Sequence, residues 1–115
     1  MAYNEILTNR VRAALAHLPR VEEKKMFGSL AFMVNGKLCI SVGKDRIMTR
    51  IDPELHEEAI QRKGTQTVVM RGREYKGYVY VGEEAIKSEE DFDYWIGLAL
   101  DYNKKAKAST RRNKK

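Results

Sequence analysis

The chain is predicted to fold as a two-layer α+β domain, an antiparallel sheet with helices packed on one face, in the order α-β-β-β-β-α-β-β-α. Three observations predict it. Apolar residues recur at helical spacing near both ends of the chain, from Ile6 to Leu18 and from Phe92 to Asn103. The segments between them read as short strands, and two of these meet at Asn35-Gly36, a pair that tolerates the positive φ angles of a tight antiparallel hairpin. Pro and Gly are sparse, and no repeat or linker divides residues 1–103. A single domain of this length can bury a core without disulfides or metal.

The first helix is expected from about Asn4 to His17. Ile6, Leu7, Val11, Ala14, Leu15 and Leu18 make its apolar stripe, with Asn4 as N-cap and Pro19 as its stop. Val21–Phe27 reads as a strand whose charged centre, Glu22 to Lys25, suits a sheet edge. Ser29–Val34 and the strand after Asn35-Gly36 form the first hairpin. A two-residue loop pairs Val34 with Lys37, Met33 with Leu38, Phe32 with Cys39 and Ala31 with Ile40. That register places Ala31, Met33, Leu38, Ile40 and Val42 on one face, and Leu30, Phe32, Val34 and Cys39 on the other. Both faces are apolar. Helices can cover one, and the other needs a second copy or a partner protein. Leu30, Phe32, Val34 and Cys39 are the candidate interaction residues.

Gly43-Lys44-Asp45 turns the chain into a fourth strand, Arg46–Ile51. Asp52 and Pro53 open a short helix that should end near Arg62-Lys63-Gly64. Thr67–Met70 and Tyr78–Val81 read as a second hairpin around a loop from Arg71 to Gly77. Ser88 caps the final helix, and Glu89, Glu90 and Asp91 favour its positive end. Phe92, Trp95, Ile96, Ala99, Leu100 and Asn103 trace its inward side.

Charge is unevenly distributed. The net charge is +6, but residues 104–115 hold seven basic residues and no acid, leaving 15 basic and 16 acidic residues before them. Residues 104–115 are therefore expected to be a disordered basic tail after a nearly neutral domain of residues 1–103. Lys104 and Lys105 also suit the negative end of the last helix. The longest apolar run, Leu30–Val34, has five residues, against about 20 for a membrane span. No secretory signal opens the chain, and a lone cysteine in an apolar run fits a reducing cytoplasm.

Chemistry-bearing patterns are thin. His17 and His56 are the only histidines, and His56-Glu57-Glu58-Ala59-Ile60 has Ile60 where a zinc-protease helix needs its second ligand. His56 is expected on a solvated helix surface. Gly72 to Gly77 has the glycine spacing of a phosphate loop, yet Tyr78-Val79 follow where Lys and Ser or Thr are required. Cys39 lacks an assignable base, and apolar surroundings raise a thiol pKa. No enzyme, metal or cofactor is expected. The alternative to protein contact is nucleic-acid binding. Arg71, Arg73 and Lys76 interleave with Tyr75, Tyr78 and Tyr80, and the tail adds Lys104, Lys105, Lys107, Arg111 and Arg112. Strand alternation alone produces the same interleaving.

Two blocks carry a family resemblance. One is Lys25-Met26-Phe27-Gly28 followed by Phe32, Asn35-Gly36 and the Arg46–Ile51 strand; the other is Gly77-Tyr78-Val79-Tyr80 with Asp91, Trp95 and Ala99. Together they resemble the TfoX/Sxy competence-regulator N-terminal domain family over roughly residues 4–103. The resemblance implies an antiparallel sheet with flanking helices and a role in regulating competence genes through the transcription machinery. It supplies no catalytic residue. Longer members add a C-terminal helical domain, which a chain ending in this basic tail is expected to lack. The leading expectation is a cytoplasmic, non-enzymatic regulator or adaptor with a protein partner or a homodimeric state.

Overall fold

Three side chains fix where the helical segments begin. Asn4 Oδ1 accepts from the Leu7 N–H at 3.0 Å, Asp52 Oδ1 from the Glu54 N–H at 2.9 Å, and Ser88 Oγ from the Asp91 N–H at 3.1 Å. Each satisfies a backbone donor that the first helical turn leaves without an internal partner. The computed structural model describes residues 3–26 and 28–105. Its elements are α1 (Glu5–Ala14), β1 (Val21–Met26), β2 (Ser29–Val34), β3 (Lys37–Val42) and β4 (Arg46–Arg50). A 3-10 turn (Pro53–Leu55) leads into the one-turn helix α2 (His56–Ala59). Then come β5 (Thr65–Met70), β6 (Arg73–Gly82), a second 3-10 turn (Glu83–Ile86) and α3 (Glu89–Asn103). The order matches the expected α-β-β-β-β-α-β-β-α fold, with six strands in one antiparallel sheet, β1-β2-β3-β4-β6-β5. Charged β1 lies at an edge, as its composition required.

The first hairpin departs from the expected register. Asn35 and Gly36 take φ of 55° and 77°, and Val34 pairs with Lys37 and Met33 with Leu38. The ladder then shifts, so that Phe32 faces Ile40, Ala31 faces Ser41 and Leu30 faces Val42. Cys39 is the extra residue of a β-bulge, which reverses which side each later residue faces. Ile40 and Val42 therefore join Leu30, Phe32 and Val34 rather than Ala31 and Met33. Cys39, Ile40 and Val42 are all fully buried. Strict alternation would have turned Ile40 and Val42 out of the core.

That shared face is the one the helices cover. Leu7, Val11 and Leu15 from the α1 region and Phe92, Trp95, Ile96 and Ala99 from α3 close over it in one apolar cluster. Asn103 at the end of α3 donates from Nδ2 to the Val34 carbonyl at 3.2 Å, and Lys37 Nζ donates to the Asn103 carbonyl at 2.6 Å. Arg12 of α1 reaches β1, placing Nε and Nη2 2.7 Å from the two Glu23 carboxylate oxygens. The bonded guanidinium holds the Glu23 carboxyl below its ordinary pKa. Ile6, expected within the apolar stripe, is instead 72% exposed.

The second hairpin is tighter than expected. Its turn is only Arg71-Gly72, with φ of 55° and 75°, and residues 73–77 belong to β6. Gly77, at φ 91°, sits where the β5–β6 register shifts. His56 is not on a solvated surface either. It is 1% exposed, its Nδ1 accepts from the Gly77 N–H at 2.9 Å, and its Nε2 lies 2.8 Å from Thr67 Oγ1. A buried ring is stable there because both of its nitrogens are bonded. Among the described residues, no helix is long and apolar enough to cross a membrane.

Candidate functional site: the open face of the sheet

Helices cover one face of the sheet; the residues that alternate with the core line the other. Ala31 and Met33 of β2, Leu38 and Ser41 of β3, Met48 of β4 and Tyr80 of β6 stand on it, by pairing and by alternation with buried neighbours. The face is not flat. It forms a half-open groove of about 580 Å³ to which all six strands contribute, from Met26 on β1 to Met70 on β5. Its floor is apolar, built from Ala31, Leu38 and Met48, and Met26 and Met70 are 41% and 50% exposed at its sides. Lys44, Asp45 and Arg46 lie at its polar rim. The Arg46 guanidinium sits 3.5 Å from the centroid of the Tyr80 ring, where the π face attracts the cation.

Methionine suits such a surface. Its side chain is unbranched, flexible and polarisable, so it adapts to the shape of whatever docks. Every methionine except Met1 belongs to this side of the molecule: Met33 faces outward beside Leu38, and Met26, Met48 and Met70 line the groove. Their spacing along the chain follows no short motif. The signal in the sequence was the alternation of Met33 with Phe32 and Val34, but the bulge at Cys39 hid which side would stay open.

The residues expected at a protein interface occupy other places. Leu30, Phe32, Val34 and Cys39 are at most 3% exposed, inside the core beneath the helices, because the bulge aligns them with Ile40 and Val42. One apolar face was expected to lack a helical cover; among the described residues it does, but with different residues on it. Burial also pushes the Cys39 thiol up to about 12. We expect Cys39 to be inert to a disulfide reagent in the native protein at pH 8 and to react fully in denaturant. Stoichiometric native labelling would show that the strand opens.

The residues of the nucleic-acid alternative are dispersed. Arg71 occupies the hairpin turn, and Arg73 begins β6 opposite Met70; both are exposed. Lys76, expected in a loop, lies in β6 with its Nζ 3.7 Å from Glu57. Lys105 Nζ pairs with Asp52 Oδ2 at 2.9 Å, and Lys104 is exposed beside it. Lys107, Arg111 and Arg112 lie outside the described residues, as does Phe27 of the Met-Phe-Gly block. Among the described residues, no cluster of three or more His, Cys, Asp or Glu side chains could hold a metal ion.

No curated protein and no solved structure matches the chain. The family model for the TfoX N-terminal domain matches residues 13–102, from within α1 into the last turn of α3. That span holds both blocks of the resemblance and every strand of the sheet, and on it the chain belongs to the TfoX N-terminal domain family.

Proposed function

We propose that this domain is a regulator or adaptor that acts by binding another protein through the open face of its sheet. Its family is one of competence-related regulators. The observation that carries the reading is the methionine-lined groove, an apolar surface that no other described residue covers, while the other face of the same strands is sealed by helices. A half-open trough running over six strands offers a partner surface more readily than it encloses a small molecule, which typically buries some 70–90% of its area in a pocket.

A photo-crosslinking amino acid at Met70, on the side of the groove, is expected to trap a discrete partner in living cells. The adduct should vanish when Met48→Asp is added, while the melting temperature stays near wild type. A probe at Ile6, on the opposite layer and 72% exposed, should give no such adduct. Absence of an adduct at Met70, or persistence with Met48→Asp, would remove the reading.

A further inference from the structure

Resting on that reading, we infer that the groove takes an amphipathic α-helix of a partner protein, with an apolar stripe facing the sheet and acidic residues along its flanks. Backbone hydrogen bonding decides between helix and extended strand. Residues 30–34 of β2, 40–42 of β3, 47–49 of β4 and 79–81 of β6 are paired on both sides, so their ladder groups are already committed. An extended segment crossing these strands would lay its own N–H and C=O groups into an apolar trough without partners, each costing free energy. A helix carries its backbone bonds internally and presents only side chains. At 1.5 Å per residue a helix of about 16 residues spans roughly 24 Å, the width of six strands about 4.8 Å apart. Flexible methionines lining a groove that receives a helix's apolar face are a recurrent mode of recognition.

Charge selects the flanks of that helix. Lys24 pairs across from Ala31 and Arg73 from Met70, so both join Lys44 and Arg46 on the open side. The acids of this side are Asp45 in the rim and Glu22, opposite Met33. The balance is positive and attracts an acidic partner. A second copy set face to face would oppose the same positive excess. The chain's own tail is a poor occupant as well, because residues 106–115 are basic and contain no apolar side chain larger than alanine.

The test uses the full chain with isotope-labelled methionine methyl groups. The probe is a synthetic helix of about 16 residues, with leucines at i, i+3, i+4 and i+7 and glutamates beside them. Saturable shifts of the Met26, Met48 and Met70 methyls are expected, with a dissociation constant of roughly 10–100 μM. Affinity should fall at least about tenfold with Met48→Asp, or with Met70→Asp where the first variant melts early. A central proline in the probe, which breaks its helix, should do the same. Exchanging its glutamates for lysines should weaken binding about fivefold or more at low salt.

Unmoved methyls at about 1 mM probe, or equal affinity for the proline-broken probe, would overturn the inference. So would tighter binding of decanoate, which marks a small-molecule site, or a self-association abolished by Met48→Asp, which marks a second copy. If the Met70 crosslink persists while the probe fails, only the helical partner is wrong. If both are lost, the protein-docking reading falls with it.

Discussion

Trp95→Ala is expected to destabilise the domain by about 3–5 kcal/mol, the usual range for truncating a large buried aromatic. Trp95 is 1% exposed and among the largest fully buried side chains. It lies on the inward side of α3, the helix that packs over the middle strands β3 and β4, and Tyr94 meets it edge-on with ring centroids 5.2 Å apart. No neighbouring element can collapse into the space, because the sheet behind it is paired on both sides. A drop in melting temperature of more than about 12 °C follows for a domain of this size. Thermal and urea unfolding check it, and melting near wild type would mean that α3 does not seal the core through this ring.

Gly77→Ala should be the next most damaging change, at about 2–4 kcal/mol. Two costs combine. At φ 91° an L residue is strained, and an added Cβ would come within 2.9 Å of the Ile51 carbonyl oxygen and 3.2 Å of Pro53 Cγ. The backbone cannot easily back away, since the Ile51 N–H donates to the Gly77 carbonyl at 2.7 Å. The Gly77 N–H is also the group that fixes the buried imidazole of His56. Because that N–H points at Nδ1, the ring proton sits on Nε2 and is donated to Thr67 Oγ1. Moving Gly77 therefore loosens α2 and β5 together. Gly72→Ala is the control. Its φ is 75°, but no atom lies within 4 Å of the added Cβ, so only the conformational strain of about 1–2 kcal/mol remains. Equal losses for the two variants in urea titrations would show that the Ile51 contact is not a constraint.

Local chemistry made much of this fold legible in the sequence, and non-local chemistry hid the rest. Asn4, Asp52 and Ser88 were readable as caps because each acts on a backbone group within three residues of itself. Asn35-Gly36 was readable because the turn's φ angles are set by those two residues. The inward side of α3 emerged from periodicity, down to the buried Asn103. The bulge at Cys39 was not readable, since it depends on which face α3 covers, and α3 lies about fifty residues further along the chain. Strict alternation puts Leu30, Phe32, Val34 and Cys39 on an open surface, and the bulge is what places them beneath the helices. The burial of His56 is hidden in the sequence for a related reason: Thr67 and Gly77, which hold its ring, are 11 and 21 residues away. The loop expected from Arg71 to Gly77 failed because Gly77 marks an irregularity inside a strand rather than the end of a turn.

The one-sided helical layer leaves a trace that saturation mutagenesis would reveal. In β4 and the second half of β6, neighbouring positions answer to different demands, so intolerance should ripple with a step of two: Ile47 and Thr49, then Val79 and Val81. In β3 the ripple should stumble, with Cys39 and Ile40 both intolerant in succession before Ser41 relaxes and Val42 tightens again. Fitness counts with an unbroken two-step beat through that strand would contradict the misaligned pairing on which the identity of the exposed side depends.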